Sequence, residues 1–126
     1  MGGSARFTCD RSCLARHADA YFTALAAHDP SRLPLARDLK STETGIVKPL
    51  GQGVWKTVEG LPRYRLNLYD PETGGIGVHA VLKERGLEML MSLRLKVAAG
   101  LGRRQEHLAA PNAAARIQGQ HVAFQL

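Results

Sequence analysis

The spacing of apolar residues is helical near the start of the chain and alternating further along it. Between residues 10 and 28 apolar side chains recur every three or four positions, at Leu14, Ala18, Tyr21, Phe22 and Leu25. This spacing predicts an amphipathic helix over residues 10–28. Asp29 and Pro30 follow as an N-cap and a proline at the first helical position, and they predict a second, short helix over residues 30–35.

The next part of the chain contains short elements separated by glycine and proline. Residues 39–50 are typical of extended chain, and Gly45 and Pro49 mark turns within a strand pair. Residues 52–59 predict a short helix that ends at Gly60.

Strict alternation of apolar and polar residues begins at Tyr64. It predicts strands over residues 64–69, 76–82 and 87–97, followed by a weaker strand over residues 101–110. The clearest apolar face belongs to the third strand and consists of Leu87, Met89, Met91, Leu93, Leu95 and Val97. Helices first and antiparallel strands afterwards predict an α+β domain, with the helices packed on one face of the sheet.

A chain of 126 residues fits one domain. We expect residues 1–8 to be a disordered or tag-like N-terminus, residues 9–110 to form the domain, and residues 111–126 to be a C-terminal tail without a firm pattern. The first residues lack the apolar core of a signal peptide, and the apolar runs are short. We therefore expect a soluble, cytoplasmic protein of bacterial type that does not contact a membrane.

The net charge of +6 raises the question of nucleic-acid binding, because Lys and Arg outnumber Asp and Glu by 17 to 11. The excess is +1, +2, +1 and +2 over residues 1–28, 29–63, 64–97 and 98–126. A surface that follows phosphates needs clustered basic residues, and the only adjacent basic pair is Arg103-Arg104. The even spread indicates ordinary solvated faces, and we expect no nucleic-acid partner.

The two cysteines do not predict a metal or a catalytic thiol. Cys9 and Cys13 are four residues apart, and His17 is the only candidate for a third ligand nearby, whereas a zinc site usually has four ligands. A chain of this length also buries enough surface to fold without a metal or a disulfide framework. We therefore expect neither a metal nor a cofactor.

Five short segments carry a resemblance to a known superfamily. They are Tyr21-x-x-Ala24-Leu25-x-x-x-Asp29, Lys40-Ser41-Thr42-Glu43-Thr44-Gly45, Gly51-x-Gly53-x-Trp55-x-Thr57, Asp70-Pro71-x-Thr73-Gly74 and Leu93-Arg94-Leu95-Lys96-Val97. In this order and spacing, residues 9–110 resemble the nuclear-transport-factor-2-like superfamily, and within it the SnoaL-like and ketosteroid-isomerase-like branch. More narrowly, the chain resembles a branch of SnoaL-like proteins that carry a Gly-x-Gly-x-Trp segment. The resemblance implies a cone-shaped barrel, in which a strongly curved, mostly antiparallel sheet wraps around an N-terminal helix plus short helices.

The resemblance to ketosteroid isomerases implies roles for two residues. Tyr21 matches the first-helix tyrosine that donates a hydrogen bond to the substrate oxygen, and Glu43 matches the aspartate that removes a proton. The third polar group of those enzymes, a protonated aspartate, falls on Leu93, so the pocket would be more apolar here. An oxyanion hole with Tyr21 alone would be weaker, which argues against steroid isomerisation itself.

The same alignment places Gln105 and His107 toward the cavity, and His107 is the third catalytic candidate, as an acid or base partner of Glu43. The residues expected to contact substrate are Trp55, Tyr64, Met89, Met91, Leu93 and Gln105. Each catalytic candidate also has a purely structural interpretation. Tyr21 fits a core tyrosine, Glu43 fits a solvated strand residue, and His107 fits a lone histidine without a catalytic role.

Two classes of function fit these observations. The first is a cofactor-independent lyase, dehydratase or isomerase that removes a proton from an oxygenated hydrophobic or aromatic small molecule. The second is a non-catalytic ligand-binding or dimerisation module of the same fold, since fold alone does not decide between them. An unburied outer sheet face predicts a homodimer in either case.

Overall fold

The computed structural model describes residues 9–99 and 115–125, and it is an α+β arrangement. The helices are α1 (Arg11–Ala26), a 3-10 turn (Pro30–Arg32) and α2 (Val54–Thr57). The strands are β1 (Leu35–Glu43), β2 (Ile46–Val47), β3 (Tyr64–Asp70), β4 (Gly75–Glu84), β5 (Leu87–Ala99) and β6 (Ala115–Gln125). The predicted α+β class is confirmed for these residues, whereas the predicted order of helices before strands is not, because α2 follows β1 and β2.

Helix α1 forms where the three- and four-residue spacing predicts it. Its N-cap is Asp10, whose carboxylate accepts a hydrogen bond from the Cys13 backbone N–H at 2.9 Å. The helix ends at Ala26, two residues before the predicted end, because His28 adopts a positive φ of 59°. All five apolar positions of the predicted face are buried against the sheet.

The predicted second helix over residues 30–35 is only a single 3-10 turn. Asp29 acts as its cap, as expected, and accepts a hydrogen bond from the Ser31 backbone N–H at 3.1 Å. The turn stops at Arg32 because Leu33 precedes Pro34, and a residue before proline is forced out of the helical region; Leu33 has φ −101° and ψ 146°.

The strands form one sheet in the order β2-β1-β6-β5-β4-β3. Every neighbouring pair is antiparallel except β1 and β6, which run parallel. Within the described residues the sheet is open, with β2 and β3 at its two edges. One face packs against α1 and α2, and we call it the inner face; the opposite face is the outer face.

The expectation of a C-terminal tail without pattern is corrected by β6. Residues 115–125 form a strand between β1 and β5, inside the sheet rather than over it. A bulge hides this strand from the alternation test, because Val97 pairs with Ile117 while Lys96 pairs with Gly119, which leaves Gln118 as an extra residue. The predicted strand over residues 101–110 lies outside the described residues.

The apolar residues of β3 lie on the outer face of the sheet, although the alternation predicts that they face the core. Tyr64, Leu66 and Leu68 point outward and are 55%, 51% and 65% exposed. The inward positions include Arg65, whose guanidinium lies 4.7 Å from the centre of the Phe22 ring and is paired with Asp19 on α1 at 3.1 Å. Tyr69, the aromatic residue of the same face, packs against the core.

The core lies between the inner face and the two helices. Strand β5 contributes the predicted stripe of Met89, Met91, Leu93, Leu95 and Val97, whereas Leu87 at its start is 68% exposed. No helix in the described ranges is both long enough and apolar enough to cross a membrane.

Candidate functional site

A buried glutamine on β6 organises the polar part of the core. Oε1 of Gln120 accepts a hydrogen bond from the Tyr21 hydroxyl at 2.6 Å and a second from the Trp55 indole N–H at 2.9 Å. Its Nε2 donates to the Ser41 hydroxyl at 3.0 Å. Only 3% of Gln120 is exposed, so these protein groups replace water as its partners. We call Tyr21, Ser41, Trp55 and Gln120 the polar cluster.

Four elements, α1, β1, α2 and β6, and one bulge bring the polar cluster together. Tyr21 and Trp55 come from α1 and α2, and their rings meet edge to face with centroids 5.4 Å apart. Before the bulge at Gln118, the inward residues of β6 are odd-numbered, as at Ile117; after it they are even-numbered, as at Gln120. The bulge is therefore what turns the Gln120 side chain toward the helices.

Glu43, the last residue of β1, lies beside α2. Its Oε1 accepts a hydrogen bond from the Val54 backbone N–H at 3.1 Å, and its Oε2 lies 3.8 Å from the Lys48 ammonium nitrogen. The side chain is 17% exposed, so it is neither a solvated strand residue nor fully enclosed. These two contacts hold the carboxylate in one orientation.

The structure explains why the second glycine of the Gly-x-Gly-x-Trp segment is a glycine. Gly53 has φ +61°, and a Cβ at this position would overlap the Glu43 carboxylate, with the carboxyl carbon only 2.7 Å away. Only glycine both adopts this backbone conformation easily and leaves room for the carboxylate. Gly53 therefore allows the Glu43 carboxylate to contact the start of α2, directly before Trp55.

The electrostatics of the site keep Tyr21 protonated. Burial raises the pKa of the Tyr21 hydroxyl, the hydrogen-bonding contact with Trp55 opposes this effect, and the negative charge of Glu43 raises the pKa further. Tyr21 is therefore a hydrogen-bond donor and not a base at neutral pH.

Two donors that converge on one oxygen can stabilise negative charge on that oxygen. The Tyr21 hydroxyl and the Trp55 N–H meet at the carbonyl oxygen of Gln120, at lengths close to those of an oxyanion hole. Sequence reasoning expected Tyr21 to act alone in this role and placed Trp55 among the substrate contacts. The structure pairs them.

The other predicted site residues divide into three groups. Met91 and Leu93 are fully buried core residues, and Met89 is buried further along the same stripe. Tyr64 does not line an inner pocket, because its side chain is on the outer face, and that expectation was wrong. Gln105 and His107 lie outside the described residues.

Sequence reasoning did not identify Gln120 or Ser41 as site residues. Gln120 lies in the segment that was expected to be a tail, and Ser41 was noted only as part of a motif. A strand pattern was present, since Gln120, Val122 and Phe124 alternate with more exposed residues. The inward face of this strand could not be assigned without knowledge of the bulge at Gln118.

The outer face carries a second polar pair on the same two strands. The Thr42 hydroxyl and Nδ1 of His121 are 2.7 Å apart and accessible to solvent. Two adjoining depressions of about 490 and 290 Å³ share His121 and Lys40. A hydroxyl beside an imidazole is the first half of a nucleophile and base pair, but no described carboxylate is hydrogen-bonded to His121 to orient it.

The proposals for this site rest on its geometry, because comparisons with known proteins found no match. No protein-family model matches the chain, and no curated protein and no solved structure matches it.

Proposed function

We propose that this chain is a cofactor-independent enzyme of the nuclear-transport-factor-2-like superfamily and of its SnoaL-like type, with the sheet curved into a cone around α1. Three observations support the assignment. Helix α1 precedes a mostly antiparallel sheet, Tyr21 is buried on this helix, and Glu43 ends the first strand. The proposed reaction class is a lyase, dehydratase or isomerase reaction that begins with proton removal.

The observation that carries the proposal is the convergence of Tyr21 and Trp55 on one oxygen. In the proposed mechanism the carbonyl oxygen of a substrate takes the place of Gln120 Oε1, and the Gln120 side chain turns aside. The two donors then stabilise the negative charge that develops on this oxygen. An amide carbonyl occupies the position when substrate is absent.

Glu43 is the proposed base. A carboxylate oxygen takes the proton from the carbon next to the carbonyl, and the electron pair of that C–H bond moves to form an enolate. Expulsion of a hydroxide or carbon leaving group gives a dehydratase or lyase, and return of the proton to another carbon gives an isomerase. Contacts with Val54 and Lys48 orient the carboxylate for this step.

The surroundings favour an oxygenated hydrophobic or aromatic substrate. The inner face next to Gln120 is apolar, with Leu95 paired directly to Gln120 and Leu93 paired to Val122. Polar recognition is concentrated at Tyr21 and Trp55, so one oxygen on an otherwise apolar molecule fits this side of the sheet.

The test is a screen of aromatic hydroxyketones and diols with the wild type, Glu43→Gln and the matched control Glu72→Gln. Glu72 lies in the exposed turn before β4 and provides the same change of charge away from the site. We expect turnover by the wild type and the control, and a loss of about 100-fold or more in Glu43→Gln, the usual contribution of a general base. Equal turnover by all three proteins would exclude Glu43 as the base.

A second candidate function is a non-catalytic ligand-binding module that forms a homodimer. The observation in its favour is the row of Tyr64, Leu66 and Leu68, three large side chains exposed on the outer face of an edge strand. Analytical ultracentrifugation of the wild type and of Leu66→Lys/Leu68→Lys tests the homodimer. A wild-type dimer that becomes a monomer in the variant, together with no turnover in the screen, would favour this second function.

A further inference from the structure

A sulfur and imidazole cluster lies at the start of α1, remote from Glu43 in the chain. Cys9 and Cys13 form a disulfide, and His17 follows one helical turn later. The sulfur atoms and a ring nitrogen of His17 all lie within 4.8 Å of one another. All three residues are buried. The proposed proton-abstraction chemistry uses none of them.

The geometry comes from the helix itself. Cys9 directly precedes the N-cap Asp10, Cys13 is in the first turn, and His17 is four residues further on. Cys13 and His17 are four residues apart on α1, so their side chains lie above one another, and the disulfide places Cys9 beside Cys13. No large rearrangement of the backbone is needed to bring their ligand atoms together.

The chemistry of the reduced cluster is that of a metal site. Reduction by a dithiol or a phosphine adds two electrons and two protons to the disulfide and produces the Cys9 and Cys13 thiols. Binding of Zn²⁺ then releases both protons and leaves two thiolates and one imidazole as ligands. Zinc bound by two sulfurs and one nitrogen has ligand distances of about 2.3 Å and 2.0 Å, which fit within the spread of this cluster.

The position of Cys13 on the helix supports a thiolate. Cys13 lies in the first helical turn, where the helix dipole favours negative charge.

We propose that Cys9, Cys13 and His17 form a Zn²⁺ site in the reduced protein, and that the Cys9–Cys13 disulfide closes this site. Among the described His, Cys, Asp and Glu residues no fourth ligand joins the cluster. The fourth position is therefore taken by water or by an added ligand, as in three-ligand zinc sites. Oxidation of the two thiols to the disulfide removes two of the three ligands and so prevents zinc binding. The zinc site is independent of the proposed activity at Glu43.

The test uses the intact chain under anaerobic conditions. Protein reduced with a phosphine and protein left oxidised are each titrated with Co²⁺ and then with Zn²⁺. We expect the reduced form to bind one equivalent of Co²⁺, with thiolate-to-cobalt charge-transfer absorption and the visible bands of a four-coordinate site, and to release it to Zn²⁺. The oxidised form should show neither signal. Binding by both forms alike, or by neither form, would overturn the proposal.

Two histidine variants locate the site without altering the disulfide. His17→Gln removes the proposed ligand, and His28→Gln is the control, since His28 lies beyond the other end of α1. Loss of a group that merely supports a ligand weakens metal binding 10- to 100-fold, so His17→Gln should weaken Zn²⁺ binding by about 100-fold or more. Equal affinity and equal Co²⁺ spectra in the two reduced variants would contradict the role of His17.

Discussion

Strands β1 and β6 carry two hydrogen-bonded side-chain pairs in adjacent positions, one on each face of the sheet. Ser41 pairs with Gln120 on the inner face, and Thr42 pairs with His121 on the outer face. The outer contact is the shorter of the two, at 2.7 Å against 3.0 Å. The backbone register is the same for both pairs, so burial and further partners are what distinguish them.

The difference shows that the length of a hydrogen bond does not measure its importance. If the Thr42 and His121 contact is broken, water can bond to both groups. If Gln120 is removed, the Tyr21 hydroxyl and the Trp55 N–H lose their acceptor in a buried site, and each unsatisfied group costs about 1–3 kcal/mol. The inner pair is one part of a four-residue cluster, whereas the outer pair has solvent as an alternative.

The largest effect is expected from Gln120→Leu. The substitution leaves the donors of Tyr21 and Trp55 unsatisfied, and we expect it to lower the free energy of unfolding by about 3 kcal/mol or more, measured by urea denaturation. Gln52→Leu is the matched control, because Gln52 is exposed and the change of side chain is identical. Equal stability of the two variants would remove the distinction between the faces.

The next effect concerns the approach of Glu43 to α2. Gly53→Ala should destabilise the protein by about 2 kcal/mol, because alanine is strained at φ +61° and its Cβ overlaps the Glu43 carboxylate. In a Glu43→Ala background the overlap is absent, so the same substitution should cost about 1 kcal/mol less in a double-mutant cycle. An unchanged cost in that background would place the Glu43 carboxylate away from Gly53.

Tyr21→Phe should have a smaller effect on stability than Gln120→Leu, although both alter the same cluster. Phenylalanine fills the same space, and Gln120 Oε1 keeps its bond from Trp55, so we expect a loss of about 1 kcal/mol in urea denaturation. A loss as large as that of Gln120→Leu would mean that Tyr21, and not Gln120, organises the cluster.

The smallest effect is expected on the outer face. Thr42→Val removes the hydroxyl that contacts His121, and we expect the free energy of unfolding to change by no more than about 0.5 kcal/mol. Ser41→Ala, the neighbouring position on the inner face, should cost more in the same assay. The reverse order would contradict the account of the two faces.

Much of the fold follows from local patterns, and the exceptions have local causes. The spacing of Leu14, Ala18 and Leu25 predicts α1, and the alternation before and after Gly86 predicts β4 and β5. Strand β6 escapes this test because the bulge at Gln118 shifts its alternation by one residue. The sequence pattern assigns β3 to the wrong face because Arg65 faces inward, where its guanidinium lies over the Phe22 ring and pairs with Asp19.

The candidate site was harder to predict because its partners are distant in sequence. Tyr21 and Gln120 are 99 residues apart, and no local pattern pairs them. The residue patterns predicted a helix at Tyr21 and extended chain at Glu43, yet the identity of the hydrogen-bond acceptor depends on the register of β6. The Cys9–Cys13 disulfide was missed for a different reason, since the spacing was noticed but its pairing depends on backbone geometry.

The most direct test of the central claim asks whether Tyr21 and Trp55 bind a negatively charged oxygen. The probe is 4-nitrophenol, an aromatic molecule whose ionised form absorbs visible light. We expect the wild type to bind it as the phenolate, and Tyr21→Phe and Trp55→Phe each to weaken binding by about tenfold or more, because a hydrogen bond to a charged group contributes about 1.5–3 kcal/mol. Equal phenolate binding by all three proteins would contradict the claim.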